Sequence, residues 1–182
     1  MNTEITDVKS LDADEIIVAT GAVAKRVPIP GADRAIEAVD YLLGTKSVGD
    51  QVVVVGGGLT GCEIAYDLYL NGKKPMIVEM QDDLITTKGV CLANTSYLRD
   101  FFKTNSVPVY LETGVNEICD DGVVLKNKAG ELFKVAADSV ILSVGYRPNP
   151  VAVKGVHVIG DADNVGNLRT VIWGAWDVAM KI

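Results

Sequence analysis

Apolar positions along the chain follow two different periods, and the central stretch shows both in succession. Four valines, Val52–Val55, form a run without a polar residue, as in a parallel strand covered on both faces. Glycines follow, and then Ile64, Ala65, Leu68 and Tyr69 recur at helical spacing. The pattern predicts a strand, a glycine turn and a helix, in that order.

The same patterns predict a mixed α/β fold for the rest of the chain. Apolar runs predict buried or parallel strands at 15–20, 75–78, 107–111 and 156–159. Short runs separated by Asp-Gly and Ala-Gly predict antiparallel hairpins at 115–118, 123–126 and 132–135. Helical spacing predicts helices at 33–43, 92–104 and from about 168 onward. We expect a Rossmann-like parallel sheet with a small antiparallel β-meander laid on it.

The glycines between strand and helix have the G-x-G-x-x-G spacing of a dinucleotide-binding turn. Gly56 permits the tight turn, Gly58 lets a pyrophosphate approach the backbone, and Gly61 allows the helix to pack closely on the strand. The N-terminus of the following helix then offers N–H groups to the phosphates. The residues predicted to bind the cofactor here are Gly56, Gly57, Gly58, Leu59, Thr60 and Gly61.

Glu79 stands at the end of the next predicted strand, at the distance where an acidic side chain meets the ribose. A carboxylate accepts hydrogen bonds from the ribose hydroxyls and repels a 2′-phosphate, and residues 80–83 include no Arg to neutralise one. We therefore expect NAD(H) rather than NADP(H). The alternative is an ordinary buried strand followed by a glycine-rich turn and a solvated Glu79.

Composition narrows the class of protein. The chain has 182 residues, 48% of them hydrophobic, which favours a globular protein. Its net charge of −7, with no basic cluster, argues against nucleic acid as a partner. No apolar run reaches the length of a membrane span, and the first residues lack the pattern of a signal peptide. The expectation is a cytoplasmic protein with no membrane partner.

Neither the three cysteines nor the single histidine forms a recognisable metal or disulfide pattern. Cys62 follows Gly61 at a helix N-terminus, where a thiol can be reactive. The alternative, which we favour, is a small residue packed under the glycine turn. His157 alternates as a strand residue and is expected to be structural. We expect no metal site.

Two similar segments lie before and after the predicted nucleotide-binding unit. Residues 13–21 and 137–145 share Ala, Asp, Ile and Gly in register, which suggests an inserted domain with a strand at its entry and another at its exit. The alternative is that buried strands ending in glycine look alike. We expect a first segment at 1–27, a nucleotide-binding domain at 28–145 and a last segment at 146–182.

These motifs together resemble the pyridine nucleotide-disulphide oxidoreductase superfamily, in which an NAD(P)H domain interrupts an FAD domain. The matching residues are Ala19, Thr20 and Gly21 at one crossing, Gly145 with 147–149 at the return, and Gly160 with Asp161 later. Within it, the chain is most similar to the carboxy-terminal part of the NADH:flavin oxidoreductases, a group that includes 2-enoate reductase, 2,4-dienoyl-CoA reductase and trimethylamine dehydrogenase.

The resemblance implies hydride transfer from NADH to FAD, although the chain has no G-x-G-x-x-G ahead of the central one for the ADP half of FAD. Asp161 would hold a ribityl hydroxyl, and the helix start near Thr170 and Val171 would direct N–H groups at the flavin. Glu63 would lie near the nicotinamide, or it would be an acidic first-turn residue that favours the helix dipole. No catalytic side chain is expected, because the cofactors carry the chemistry.

Three departures from the family pattern suggest a fragment with remnants of an interrupted FAD-binding domain. The amino-terminal glycine motif is missing, the link at 150–154 is short, and neither an FMN barrel nor a cysteine set for an iron–sulfur cluster is present. The missing segments would be partners, and cut edges could pair in a homo-oligomer that buries Trp173 and Trp176. The alternatives are a stand-alone NAD-binding or sensing module and a structural domain with an empty turn.

Overall fold

The computed structural model describes residues 3–151 and 153–182. Met1, Asn2 and part of the predicted 150–154 link therefore lie outside the described residues. The strands are β1 (Ile17–Val18), β2 (Ala22–Ala24), β3 (Ile36–Glu37), β4 (Gln51–Val55), β5 (Lys74–Val78), β6 (Val109–Tyr110), β7 (Thr113–Cys119), β8 (Gly122–Asn127), β9 (Leu132–Ala136), β10 (Ser139–Leu142), β11 (Tyr146–Pro148) and β12 (His157–Val158).

Four α-helices and three short 3₁₀ turns complete the described structure. The α-helices are α1 (Ala38–Leu42), α2 (Leu59–Leu70), α3 (Leu92–Thr104) and α4 (Leu168–Ala179), and the 3₁₀ turns are Val8–Ser10, Ala32–Arg34 and Gly160–Ala162. Within the described ranges, no helix is both long and apolar enough to cross a membrane. The chain divides into a central unit, Arg26–Val144, and a flanking unit, Met1–Lys25 with Gly145–Ile182.

A five-stranded parallel sheet forms the middle of the central unit, in the order β3-β10-β4-β5-β6. Successive valines of β4 point to opposite faces. Val52 and Val54 pack with the buried faces of α2 and α3, including Leu68 and Phe102. Burial on both faces explains why this strand has no polar alternation.

The opposite face of the parallel sheet packs against a three-stranded antiparallel sheet, β7-β8-β9. Val53 and Val55 of β4 share a buried cluster with Ile118, Val123 and Leu125 of this meander. Both predicted parts of the fold, the parallel sheet and the meander, are confirmed. The glycine turn after β4 therefore extends from a sheet that is packed on both faces.

The flanking unit contains two two-stranded sheets and α4. Strand β1 pairs with β12 in parallel, and β2 pairs with β11 in antiparallel fashion. Of its described residues, only Val18 and Ala162 are buried. His157 of β12 places its ring nitrogen 2.8 Å from a carboxylate oxygen of Glu15, which agrees with a structural role.

Two predicted elements differ in the structure. The helix expected over 33–43 is a 3₁₀ turn, then strand β3, and then the short helix α1; Ile36 leaves the helical path because it pairs with Ile141 of β10. The buried strand expected at 15–20 is only Ile17–Val18, and Ile17 is exposed. Of the two similar segments, one supplies β1 to the flanking unit, whereas the other supplies β10, an inner strand of the central sheet.

Candidate functional site

The glycine turn joins β4 to α2, and two of its glycines are fixed by contacts inside the fold. Gly56 has a φ of 106°, which disfavours any residue with a Cβ. A Cβ on Gly56 would lie 2.3 Å from the carbonyl oxygen of Ser143, and one on Gly61 would lie 1.9 Å from the carbonyl oxygen of Gly56. Helix α2 thus approaches the strand end more closely than a side chain would allow.

Gly58 is different, because nothing in the fold requires it to lack a side chain. It is the N-cap residue of α2 with a φ of −68°, and no atom lies within 4 Å of its Cβ direction. The first intrahelical bond runs from the N–H of Cys62 to the carbonyl of Gly58. The N–H groups of Leu59, Thr60 and Gly61 therefore have no intrahelical acceptor, and free N–H groups at a helix N-terminus are suited to an anion.

Glu79 lies at the end of β5, directly beside this turn. Its Oε2 accepts a hydrogen bond from the Gly57 N–H at 2.6 Å, and its Oε1 accepts one from the Gln81 N–H at 2.8 Å. The side chain is half-buried. The bond to Gly57 was not predicted, because the sequence assigned Glu79 to the ribose alone. The carboxyl ends of neighbouring parallel strands meet at one edge of the sheet, and this rule could have placed Glu79 beside the glycine turn.

Gly57 is buried and connects the turn to a loop that sequence reasoning did not include. Its carbonyl accepts a hydrogen bond from the Ile85 N–H at 2.8 Å and contacts the Cys62 thiol at 3.4 Å. A Cβ on Gly57 would lie 2.5 Å from a methyl carbon of Leu84. Gly57, which lies between the first two glycines of the motif and had no separate role in the sequence prediction, is therefore held by four neighbours: Glu79, Ile85, Cys62 and Leu84.

Cys62 is fully buried under the turn. Burial raises the pKa of its thiol to about 12, against a smaller lowering by the charge of Arg99. A thiol with this pKa stays protonated and unreactive near neutral pH. The structure supports the small packed residue, and the reactive alternative is wrong.

Glu63 is exposed and is the fifth residue of α2, directly after Cys62. The first turn of α2 contains no acidic residue, so the alternative of an acidic first-turn residue is wrong. Proximity to the nicotinamide stays a prediction.

The residues of the predicted crossing meet within the flanking unit. Gly145 has a φ of 90°, and its carbonyl accepts a hydrogen bond from the Lys25 N–H at 3.0 Å. The Thr20 hydroxyl donates to the Asn149 carbonyl, and the Asn149 N–H donates to the Gly21 carbonyl at 3.0 Å. Ala19, like Thr20, is exposed. The two ends of the crossing are thus joined by backbone bonds as well as by the β2–β11 ladder.

Three of the predicted flavin residues, Gly160, Thr170 and Val171, line a cavity of about 250 Å³ in the flanking unit. Asp161 lies in the 3₁₀ turn beside it, and its carboxylate accepts a hydrogen bond from the Gly166 N–H at 3.0 Å. The N–H of Thr170 donates to the Asn167 side chain, and the N–H of Val171 donates to the Asn167 carbonyl. Both predicted N–H donors therefore already have partners at the helix cap.

Metal binding has no support in the parts of the chain that the structure describes. No group of three or more His, Cys, Asp or Glu side chains there has the geometry to hold a metal ion. All three cysteines are free thiols.

Comparison with known proteins places the chain among pyridine nucleotide-dependent oxidoreductases. Residues 2–171 match the family model described as pyridine nucleotide-disulphide oxidoreductase. Cinnamate reductase of Clostridium sporogenes is 37% identical over 184 residues, which cover 97% of this chain and 28% of that protein. NADH oxidase of Thermoanaerobacter brockii is 33% identical over 191 residues, covering 96% of this chain and 29% of that protein.

Solved structures show the same architecture. A 2-naphthoyl-CoA reductase in complex with 2-naphthoyl-CoA has a TM-score of 0.83 and 26% identity, over 93% of this chain and 27% of that one. Thioredoxin reductase of T. acidophilum has a TM-score of 0.72 over 92% of this chain and 64% of that one, and at 21% identity it shows the fold alone. The chain thus spans less than a third of the length of the two curated relatives named above.

Proposed function

The chain belongs to the pyridine nucleotide-disulphide oxidoreductase family, and we propose that it is the NADH-binding part of a flavin-dependent oxidoreductase that passes hydride from NADH to FAD. The observation that carries this proposal is the open approach at Gly58, next to the Glu79 carboxylate, on a turn whose other glycines are fixed by the fold. A turn built only for packing has no need of a glycine at position 58.

The residues present fit a nicotinamide dinucleotide. The first-turn N–H groups of Leu59, Thr60 and Gly61 would receive the pyrophosphate, with the positive end of the α2 dipole behind them. Glu79 has a carboxylate lone pair for a ribose hydroxyl besides its two backbone bonds. Its negative charge would repel a 2′-phosphate, so NADH is favoured over NADPH.

On the flavin side, the chain offers part of a site. Gly160, Thr170 and Val171 line the cavity, and Asp161 retains acceptor capacity beyond its bond to Gly166. Asp161 would bind a ribityl hydroxyl. The backbone around Thr20, Gly21 and Gly145 would fix the two chain segments at the crossing beside the flavin. The nicotinamide supplies the hydride and the flavin accepts it. The residues of this chain would bind the two cofactors and orient them.

The parent enzyme is proposed to be a 2-enoate or 2,4-dienoyl-CoA reductase-like enzyme. Support comes from the names of the relatives, a cinnamate reductase and a 2-naphthoyl-CoA reductase. FMN and an iron–sulfur cluster would belong to segments of the parent other than the 182 residues here, and those segments would be partners of this chain. The cytoplasm stays the predicted location.

Self-association is a further part of the proposal. Trp173 and Trp176 of α4 are 61% and 58% exposed, and pairing between copies would cover them. Sedimentation of the purified chain at high concentration would show a dimer or larger species. A monomer under those conditions would contradict self-association without affecting the NADH site.

A stand-alone NAD-binding module is the second candidate, and one observation favours it. The glycine turn, Glu79 and both large buried clusters lie entirely within the central unit, so NADH binding would not require the flavin-side residues. A calorimetric titration with NADH, NADPH and FAD tests the site that both candidates share. NADH binding with weak NADPH binding and no FAD binding is the result expected of a nicotinamide-binding part whose flavin site is incomplete. FAD binding by the same chain would favour the electron-transfer role over the module, and no binding of any nucleotide contradicts both.

A further inference from the structure

Loop residues 83–85 contact the glycine turn at Gly57. The Ile85 N–H donates to the Gly57 carbonyl at 2.8 Å, and the Leu84 side chain occupies the space beside Gly57 that a Cβ would fill. Both Leu84 and Ile85 are 4% exposed, which is unusual for loop residues. The loop and the turn therefore form one packed assembly.

Ile85 adopts a backbone conformation that its side chain disfavours. Its φ is 52°, in the left-handed region where a β-branched residue is a genuine outlier. Such a conformation persists only when neighbouring groups hold it in place, and strained residues of this kind concentrate at functional sites. The loop therefore needs an anchor outside its own backbone.

Arg99 of α3 is that anchor. Its Nε lies 3.1 Å from Oδ1 of Asp83, and its Nη2 lies 3.0 Å from Oδ2 of the same carboxylate. Nη2 also donates to the Leu84 carbonyl. A planar guanidinium can hold a carboxylate and a carbonyl together in one fixed arrangement, which the single ammonium of a lysine cannot reproduce.

We propose that Arg99 is a positioning residue of the dinucleotide site, which holds loop 83–85 against Gly57 so that the turn keeps the shape that receives the pyrophosphate. The proposal rests on the proposed NADH site. The connection runs from Arg99 through Asp83 and Leu84 to Ile85, from the Ile85 N–H to the Gly57 carbonyl, and from the Gly57 N–H to Glu79.

The test compares Arg99→Met and Arg99→Lys in the full chain, with Lys73→Met as a matched control. Lys73 forms an ion pair with Asp50 at 2.9 Å, and its side chain is 30% exposed against 31% for Arg99. That pair lies where β4 and β5 begin, at the end of the sheet away from the turn. Lys73→Met therefore measures how far the loss of an ion pair in this unit, away from the turn, affects NADH binding and stability.

We expect Arg99→Met to weaken NADH binding about tenfold, as when a supporting partner of a binding residue is lost. Arg99→Lys should fall between Arg99→Met and the wild type, and Lys73→Met should bind as the wild type does. Hydrogen exchange of the Ile85 amide should accelerate in Arg99→Met relative to the Val54 amide of the sheet. A general loss of stability would accelerate both amides together.

Each outcome decides the proposal. Unchanged NADH affinity or unchanged relative exchange of the Ile85 amide in Arg99→Met overturns it, and the NADH site itself then stands. If Arg99→Met does not fold, Arg99→Lys and Asp83→Asn decide by the same two measurements. A wild-type chain that binds no NADH overturns the site and the positioning role together.

Discussion

At the scale of single residues, Cys62 shows how burial sets the chemistry of a side chain. Its thiol pKa is raised to about 12 from an ordinary value of 9.0, because burial disfavours the thiolate. The folded chain therefore holds this proton at pH values where the unfolded chain releases it. The resulting stabilisation is fully present below pH 9 and is lost as pH rises towards 12.

We predict that the stability difference between the wild type and Cys62→Ala shrinks between pH 9 and 12, by as much as about 4 kcal/mol. Taking the difference removes the contribution of other groups that titrate there, such as Tyr41, whose pKa is also raised by burial. Urea unfolding at several pH values measures it. Rapid alkylation of Cys62 in the folded chain at pH 8, at a rate like that of the exposed Cys91, would contradict this account.

Glu79 combines two roles on one carboxylate, since it binds two backbone N–H groups and is placed for the ribose. We predict that Glu79→Ala weakens NADH binding by tenfold or more, because a hydrogen bond to a charged group contributes roughly 1.5–3 kcal/mol. Discrimination against NADPH should decrease in the same variant. Glu117→Ala, which removes an exposed carboxylate from β7, is the control for the change in net charge. Equal NADH affinity in Glu79→Ala and the wild type would show that the site is wrongly placed.

At the scale of elements, the close approach of α2 to the end of β4 depends on Gly61. We predict that Gly61→Ala destabilises the chain by about 1–3 kcal/mol, because the added methyl group would lie 1.9 Å from the Gly56 carbonyl oxygen and force the helix away. Thermal unfolding monitored by circular dichroism measures the effect. Gly58→Ala in the same turn meets no atom within 4 Å, and it should unfold near the wild-type temperature.

The elements that the sequence predicts well are those whose pattern is set by local burial. The four valines of β4 are buried on both faces of the sheet, and the apolar side of α2 packs on one of these faces. Helix α3 spans the predicted residues 92–104. Around Ile36, a helical pattern was overridden by pairing with β10, a contact more than 100 residues away in sequence. Such long-range pairing leaves no local signal.

The same limit applies to the site. The glycine spacing and Glu79 are visible in the sequence, because their offsets are fixed by the strand-turn-helix unit. The contacts of Gly57 with Glu79, Ile85 and Leu84 are not visible, because they join segments whose spacing no motif fixes. Arg99 has no periodic or motif signal and is found only from the structure.

At the scale of the whole molecule, the two units differ in how much core they have. The central unit contains two large buried clusters, whereas only Val18 and Ala162 are buried among the described residues of the flanking unit. Segments with few buried contacts open at low free energy. We therefore predict that trypsin cleaves first at sites such as Lys25, Lys154 and Arg169, and leaves a resistant fragment close to 26–154. Mass spectrometry of the early fragments checks this, and first cuts inside the central unit would contradict it.

The central claim is that the glycine turn binds NADH, and a calorimetric titration of the wild type and Gly58→Ala tests it most directly. Gly58 has an ordinary φ of −68° and open space around it, so alanine there should leave the fold and its unfolding temperature nearly unchanged. We predict micromolar NADH binding by the wild type and binding at least tenfold weaker in Gly58→Ala, because the methyl group would occupy the approach of the pyrophosphate. Equal NADH affinity in the two chains, or no binding by the wild type, would contradict the claim.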